Sequence, residues 1–117
     1  MNRVSILAVQ FDAVTQSEAV TRAMARIREG KKGYVVTPNS EIVYMARSDE
    51  HLKKLLNAAA LVLPDGIGGI HAAKTIKKPL TEKVAGIEFA TSLMEAMAKE
   101  GRSIFLFGAK PGIAEKA

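Results

Sequence analysis

Four short apolar runs limit how this chain can fold: VSILAVQF, GYVVT, ALVL and SIFLF, starting at Val4, Gly33, Ala60 and Ser103. None is long enough for an ordinary helix. Runs of this kind suit strands buried on both faces, as in a parallel sheet with helices packed on either side. The intervening stretches have helical signals. Thr15 and Glu18 have the spacing of a capping box, opening a helix that runs to about Glu29 and stops at Gly30. Val20, Ala23, Met24 and Ile27 share one face of it. Pro38 breaks the second run, and Asn39 is placed to cap a helix containing Ile42, Val43 and Met45. Another helix is expected from about Asp49 to Ala58, carrying Leu52, Leu55 and Leu56.

After ALVL the pattern continues with GIHAAKTI, which reads as helical, and KKPLTE, which reads as a loop. A long helix is predicted from Gly86 to Glu100, closed by Gly101. Ile87, Ala90, Met94 and Met97 form one stripe, with Phe89, Leu93 and Ala96 beside it, and a face so wide predicts substantial burial. Strands alternating with helices predict an α/β fold, with a Rossmann-like, mainly parallel sheet and helices on both faces. There is no internal repeat or linker, so residues 1–117 read as one domain. PGIAEKA begins a helix of about one turn, so the expectation is a core fragment of a longer protein, truncated at its C-terminus.

Composition removes several function classes. Hydrophobic residues make up 48% and charged residues 25%, as in a soluble globular chain. There is no cysteine, hence no disulfide framework or thiolate site. The net charge of +5 suits an anionic partner. Aromatics are only 5% and do not interleave with the basic residues, which argues against nucleic acid as that partner. The apolar run from Val4 to Val9 is followed by Gln10 and Asp12, unlike a signal peptide, and no stretch approaches the ~18 apolar residues of a membrane span.

In an open parallel sheet, ligands bind beyond the carboxyl ends of the strands. Every unusual loop falls at such an end: FDAVT, TPNS, PDGIGG and GAKPG, which are expected to converge on one crevice. The first strand–helix loop has no glycine, and the third has only Gly66, Gly68 and Gly69, so the dinucleotide fingerprint fails. No P-loop lysine follows. Asp65 reads equally well as a turn residue before Gly66 and as a general base at the ligand edge. Without a D-x-D pair, metal ligation is the weaker functional reading. Neighbouring glycines would let a substrate approach the backbone. Thr37 and Asn39 offer a hydroxyl and an amide at the adjacent strand end, although Asn39 also suits a cap. His71 reads as structural, His51 as exposed, and Asp12 either faces the crevice or belongs to a turn.

Together, FDAVT, TPNSEIVYMAR, AALVLPDGIGGIHAAK, EKVAGIEF and IFLFGAKPGIAEKA resemble the WecG/TagA/CpsF glycosyltransferase family over essentially the whole chain, and most closely its TagA type. The resemblance implies an inverting enzyme without cofactor or metal. It would move N-acetylmannosamine from UDP to undecaprenyl-diphosphate-linked N-acetylglucosamine, forming a β-1,4 linkage in wall teichoic acid synthesis. Asp65 matches the base of that family, and Thr37 and Asn39 match pocket positions. Gly66, Gly68, Lys83, Gly108 and Gly112 complete the expected substrate-binding set. Lys83 and Glu88 depart from the expected pattern, and a lysine gives up the bidentate fork an arginine offers a diphosphate. The resemblance further implies peripheral attachment at the cytoplasmic membrane face through a C-terminal basic segment. Self-association would cover an exposed apolar edge. The alternatives are another UDP-sugar donor, N-acetylmannosaminuronic acid or glucose, and a non-catalytic nucleotide-binding module.

Overall fold

The computed structural model describes residues 3–64 and 84–117. It begins with a hairpin, not with the single strand expected for VSILAVQF. Strands β1 (Arg3–Ile6) and β2 (Val9–Asp12) pair antiparallel, with Val4 opposite Phe11 and Ile6 opposite Val9. The turn is Leu7-Ala8, with φ of 49° and 70°. Positive φ at both central residues is the geometry of a two-residue hairpin turn matched to strand twist. Val4, Ile6, Val9 and Phe11 are buried while Ser5 and Gln10 face out. The two-residue alternation therefore changes phase at Leu7-Ala8.

Helix α1 (Gln16–Arg28) forms as its caps dictate. The Glu18 N–H donates to Thr15 Oγ1 at 3.1 Å, and the Thr15 N–H donates to Glu18 Oε1 at 3.1 Å. Its end is a Schellman turn, in which Lys31 N–H reaches the Arg26 carbonyl and Gly30 N–H reaches that of Ile27. Gly30 sits there at φ 71°, where a Cβ would be strained. Strand β3 (Val35–Val36) follows, then α2 (Ser40–Ala46), capped by Asn39, and α3 (Glu50–Asn57), capped by Asp49. Strand β4 (Leu61–Val62) pairs in parallel with β3, Val35 opposite Leu61 and Val36 opposite Val62.

Helix α4 (Gly86–Lys99) ends in a second Schellman turn, built by Arg102 and Gly101 on the carbonyls of Met97 and Ala98. A one-turn helix, α5 (Ile113–Lys116), closes the described chain.

The β4 segment is the centre of the packing. Val62 enters one buried cluster with the hairpin residues and with Val43, Ala46, Leu56 and Ala59 of the α2–α3 region. Leu61 and Leu63 enter a second with Val14, with Ala19 and Ala23 of α1, and with Val84 and Phe89. Alternate side chains thus point to opposite covered faces, which explains why ALVL carries no polar residue. Fully burying each leucine contributes about 1.5–3 kcal/mol.

The fold is α/β, with a small parallel and a small antiparallel sheet among the described residues. Two further expectations are corrected. SIFLF joins no strand ladder among the described residues, and Phe105 and Phe107 are 86% and 93% exposed. The wide apolar face of α4 is buried mainly at Phe89, with Leu93 packed beside it. Ile87 is 79% exposed, because α1 covers only one side of the helix.

Candidate active site at the strand ends

Strands β3 and β4 run side by side in the same direction, so their carboxyl ends open onto the same edge. The Leu63 N–H donates to the Val36 carbonyl at 2.9 Å, extending the pairing to the threshold of both following loops. Thr37 and Asn39 follow β3, and Pro64 follows β4. The chain leaves the described region at Pro64 and returns at Val84, whose N–H donates to the Pro64 carbonyl at 3.0 Å. The described residues on either side of 65–83 are therefore joined to each other beside the carboxyl end of β4. Asp65, Gly66, Gly68, His71 and Lys83 lie outside the described residues, as do the expected helix GIHAAKTI and loop KKPLTE.

Thr37 is half-buried and Asn39 exposed. Asn39 Oδ1 accepts from the Ile42 N–H at 2.9 Å, so the cap predicted for it forms. Among the described residues, neither the Asn39 Nδ2 group nor the Thr37 hydroxyl has a hydrogen-bond acceptor. Pro38 between them is buried and anchors the turn.

Gly108 and Gly112, the other glycines expected in the pocket, lie in an exposed loop. Their loop follows the unpaired Ser103–Phe107 segment, all of it is exposed, and a Cβ built at either glycine meets nothing within 4 Å. Both have positive φ, 115° and 86°. Among the described residues, the carboxyl ends of β3 and β4 share one edge, and GAKPG is exposed.

Asp12 is the residue whose role the sequence left undecided. It faces no crevice; it is fully buried and bound on all sides. Oδ1 accepts from Arg3 Nε at 3.0 Å, and Oδ2 accepts from the Val62 N–H at 2.7 Å. The same guanidinium donates to the carbonyls of Asn57 and Ala59 at 3.1 and 3.0 Å. One ion pair therefore ties the hairpin to the α3–β4 connection. The available sequence signal was weak: a carboxylate at the end of an apolar run, with an arginine at the start of the same run.

The other ionic contacts are exposed. Arg28 pairs with Glu100 between the ends of α1 and α4, and with Arg102 it holds the Glu100 carboxyl below its ordinary value. Backbone and hydroxyl bonds to Thr15 do the same for Glu18. His51 is exposed, as expected. Among the described residues no cluster of three His, Asp or Glu side chains could hold a metal ion, and no helix is long and apolar enough to cross a membrane.

Residues 4–117 match the Glycosyl transferase WecG/TagA/CpsF family. The chain is 36% identical over 81 residues to an N-acetylglucosaminyldiphosphoundecaprenol N-acetyl-beta-D-mannosaminyltransferase of Bacillus spizizenii, a match covering 69% of this chain and 32% of the relative. It is 29% identical over 117 residues to a protein of the same name from Staphylococcus aureus, covering 98% of this chain and 46% of the relative. The chain thus spans less than half the length of these relatives.

Proposed function

This chain belongs to the WecG/TagA/CpsF glycosyltransferase family, and from that premise we propose that it is the core of an inverting UDP-sugar transferase. The donor is UDP-N-acetylmannosamine and the acceptor is undecaprenyl-diphosphate-linked N-acetylglucosamine, a reading supported by the names of the relatives. In this reading β3 and β4 belong to a Rossmann-like, mainly parallel sheet of the complete protein. The enzyme works at the cytoplasmic membrane face, where its lipid-linked acceptor resides.

The observation that carries this reading is the shared edge of β3 and β4. Thr37 and Asn39 stand at one strand end, beside the point where the chain departs into the segment beginning with Asp65. Asp65 takes the proton from the acceptor hydroxyl as that oxygen attacks the anomeric carbon. The bond from that carbon to the UDP oxygen breaks, and UDP leaves from the opposite face. The carboxylate and the diphosphate need not repel, because the transferred sugar separates them. Thr37 and Asn39 hydrogen-bond the donor. Gly66 and Gly68 admit it close to the backbone, and Lys83 offers the departing diphosphate a positive charge. Gly108 and Gly112 contribute to this pocket only if their solvent-exposed loop folds towards the edge when substrate binds.

The test is transfer by the full-length protein from labelled UDP-N-acetylmannosamine to the lipid-linked acceptor, with and without EDTA. UDP-N-acetylmannosaminuronic acid, UDP-glucose and NAD serve as competitors. The proposal expects β-linked disaccharide, full activity in EDTA and no competition by NAD. UDP binding without transfer to any acceptor would favour a non-catalytic nucleotide-binding module. Preferred transfer of another sugar would change the donor and leave the reaction type intact.

A further inference from the structure

Asp12 does more than join a hairpin to its neighbours. The Val62 N–H, which in a regular ladder would bond an adjoining strand, instead donates to Asp12 Oδ2 at 2.7 Å. This side chain therefore fixes β4 along its own axis from outside the ladder. Arg3 orients the carboxylate through Nε and at the same time holds the Asn57 and Ala59 carbonyls, so the approach to β4 is fixed by the same group. Two residues on, Val14 is buried in the cluster that contains Leu63 and Val84. These two flank the excursion closed by the Val84–Pro64 hydrogen bond. The stretch Asp12–Val14 thus bears on both the exit and the return of that segment.

We propose that Asp12 is a positioning residue that, through its bond to the Val62 N–H, sets where the β4 end delivers the chain to the reacting sugar. This rests on the transferase reading above. A buried apolar residue would supply comparable packing, but it would not hold a strand at one axial position. A displacement of about 1 Å in reacting groups can cost ~100-fold in rate.

The experiment uses the full-length protein with Asp12→Ala, Asp12→Asn and, as a destabilised control, Asp49→Ala, which removes the N-cap of α3. Turnover, donor KM and melting are measured at a temperature where each variant is fully folded. Asp12→Ala should lower kcat by about 10–100-fold with donor KM within about 3-fold. Asp12→Asn keeps an oxygen for the Val62 N–H and should recover most of that loss. Asp49→Ala should lose melting temperature but not kcat. A folded Asp12→Ala enzyme with kcat within about 2-fold of wild type would overturn the proposal. If the alanine variant does not fold, Arg3→Met/Asp12→Leu, which replaces the ion pair by apolar side chains and leaves the Val62 N–H without that acceptor, carries the same test, with a kcat loss of about 10-fold expected and unchanged turnover refuting it.

Should the wild-type protein transfer no sugar, the transferase reading fails separately, and amide hydrogen exchange decides this one. Asp12→Asn should then speed exchange at Val62, Leu63 and Val84 more than at the hairpin amides of β1 and β2. Uniform or hairpin-only acceleration would contradict it.

Discussion

Replacing Arg3 with methionine isolates the ion pair beneath the sheet. Methionine fills much of the space of the arginine stem but leaves the fully buried Asp12 carboxylate without its cation. Removing one partner of a buried pair costs about 3–5 kcal/mol, because the remaining charge is still desolvated. The Arg3 side chain is 23% exposed, so water can partly replace it, which places the cost near the lower end. The Asn57 and Ala59 carbonyls lose donors as well. A loss of about 3 kcal/mol should lower the melting temperature of a domain this size by roughly 10–20 °C. The assay is urea unfolding followed by circular dichroism, for Arg3→Met and for the double variant Arg3→Met/Asp12→Asn. The double variant removes the stranded charge and keeps an acceptor for the Val62 N–H, so it should be more stable than the single variant. A loss under about 1 kcal/mol for Arg3→Met, or a double variant weaker than the single, would refute the reasoning.

Other expectations follow from the same packing. Leu7 and Ala8 both occupy left-handed backbone, and Leu7 is 56% exposed, so replacing the pair with Asn-Gly should stabilise the hairpin by about 1 kcal/mol, read as a rise in urea midpoint. Glu100, held below its ordinary value by Arg28 and then Arg102, stabilises the folded state fully above about pH 4.5 and loses that contribution as pH falls through its lower folded value. Glu100→Gln should therefore flatten the melting temperature against pH below that point and leave its slope near neutrality unchanged. Phe105→Ser and Phe107→Ser remove rings that are almost wholly exposed, so each should change stability by less than about 0.5 kcal/mol in urea titration.

Helix ends were the most legible part of the fold, because their signals are local. Thr15, Asn39 and Asp49 cap where they stand in sequence, and Gly30 and Gly101 stop their helices through backbone conformations that side chains resist. The parallel β3–β4 pair was legible from two apolar runs followed by loop residues. The hairpin was missed because Leu7 and Ala8 are apolar turn residues. They hid the change of phase that a Gly or Asn would have announced. SIFLF has the composition of a central strand, but composition does not supply a neighbour, and its rings remain in solvent. The apolar width of α4 likewise overstated its burial, since a helix buries only the side that a partner reaches. At the candidate site, Thr37 and Asn39 were singled out by loop position and by the family resemblance, and both stand directly after β3. The role of Asp12 depends on contacts 50 residues apart along the chain and could not be read locally.

The central claim is that the segment leaving β4 at Pro64 carries the base for sugar transfer. The most direct measurement is turnover of full-length Asp65→Asn with UDP-N-acetylmannosamine and the lipid-linked acceptor, alongside UDP affinity and a melting curve on the same preparation. Asparagine suits a turn before Gly66 as well as aspartate does, but it cannot take the proton. The account predicts a fall in turnover of about 10²–10⁴ with UDP affinity and melting nearly unchanged. Near-normal turnover in the folded variant would contradict it and leave Asp65 as a turn residue.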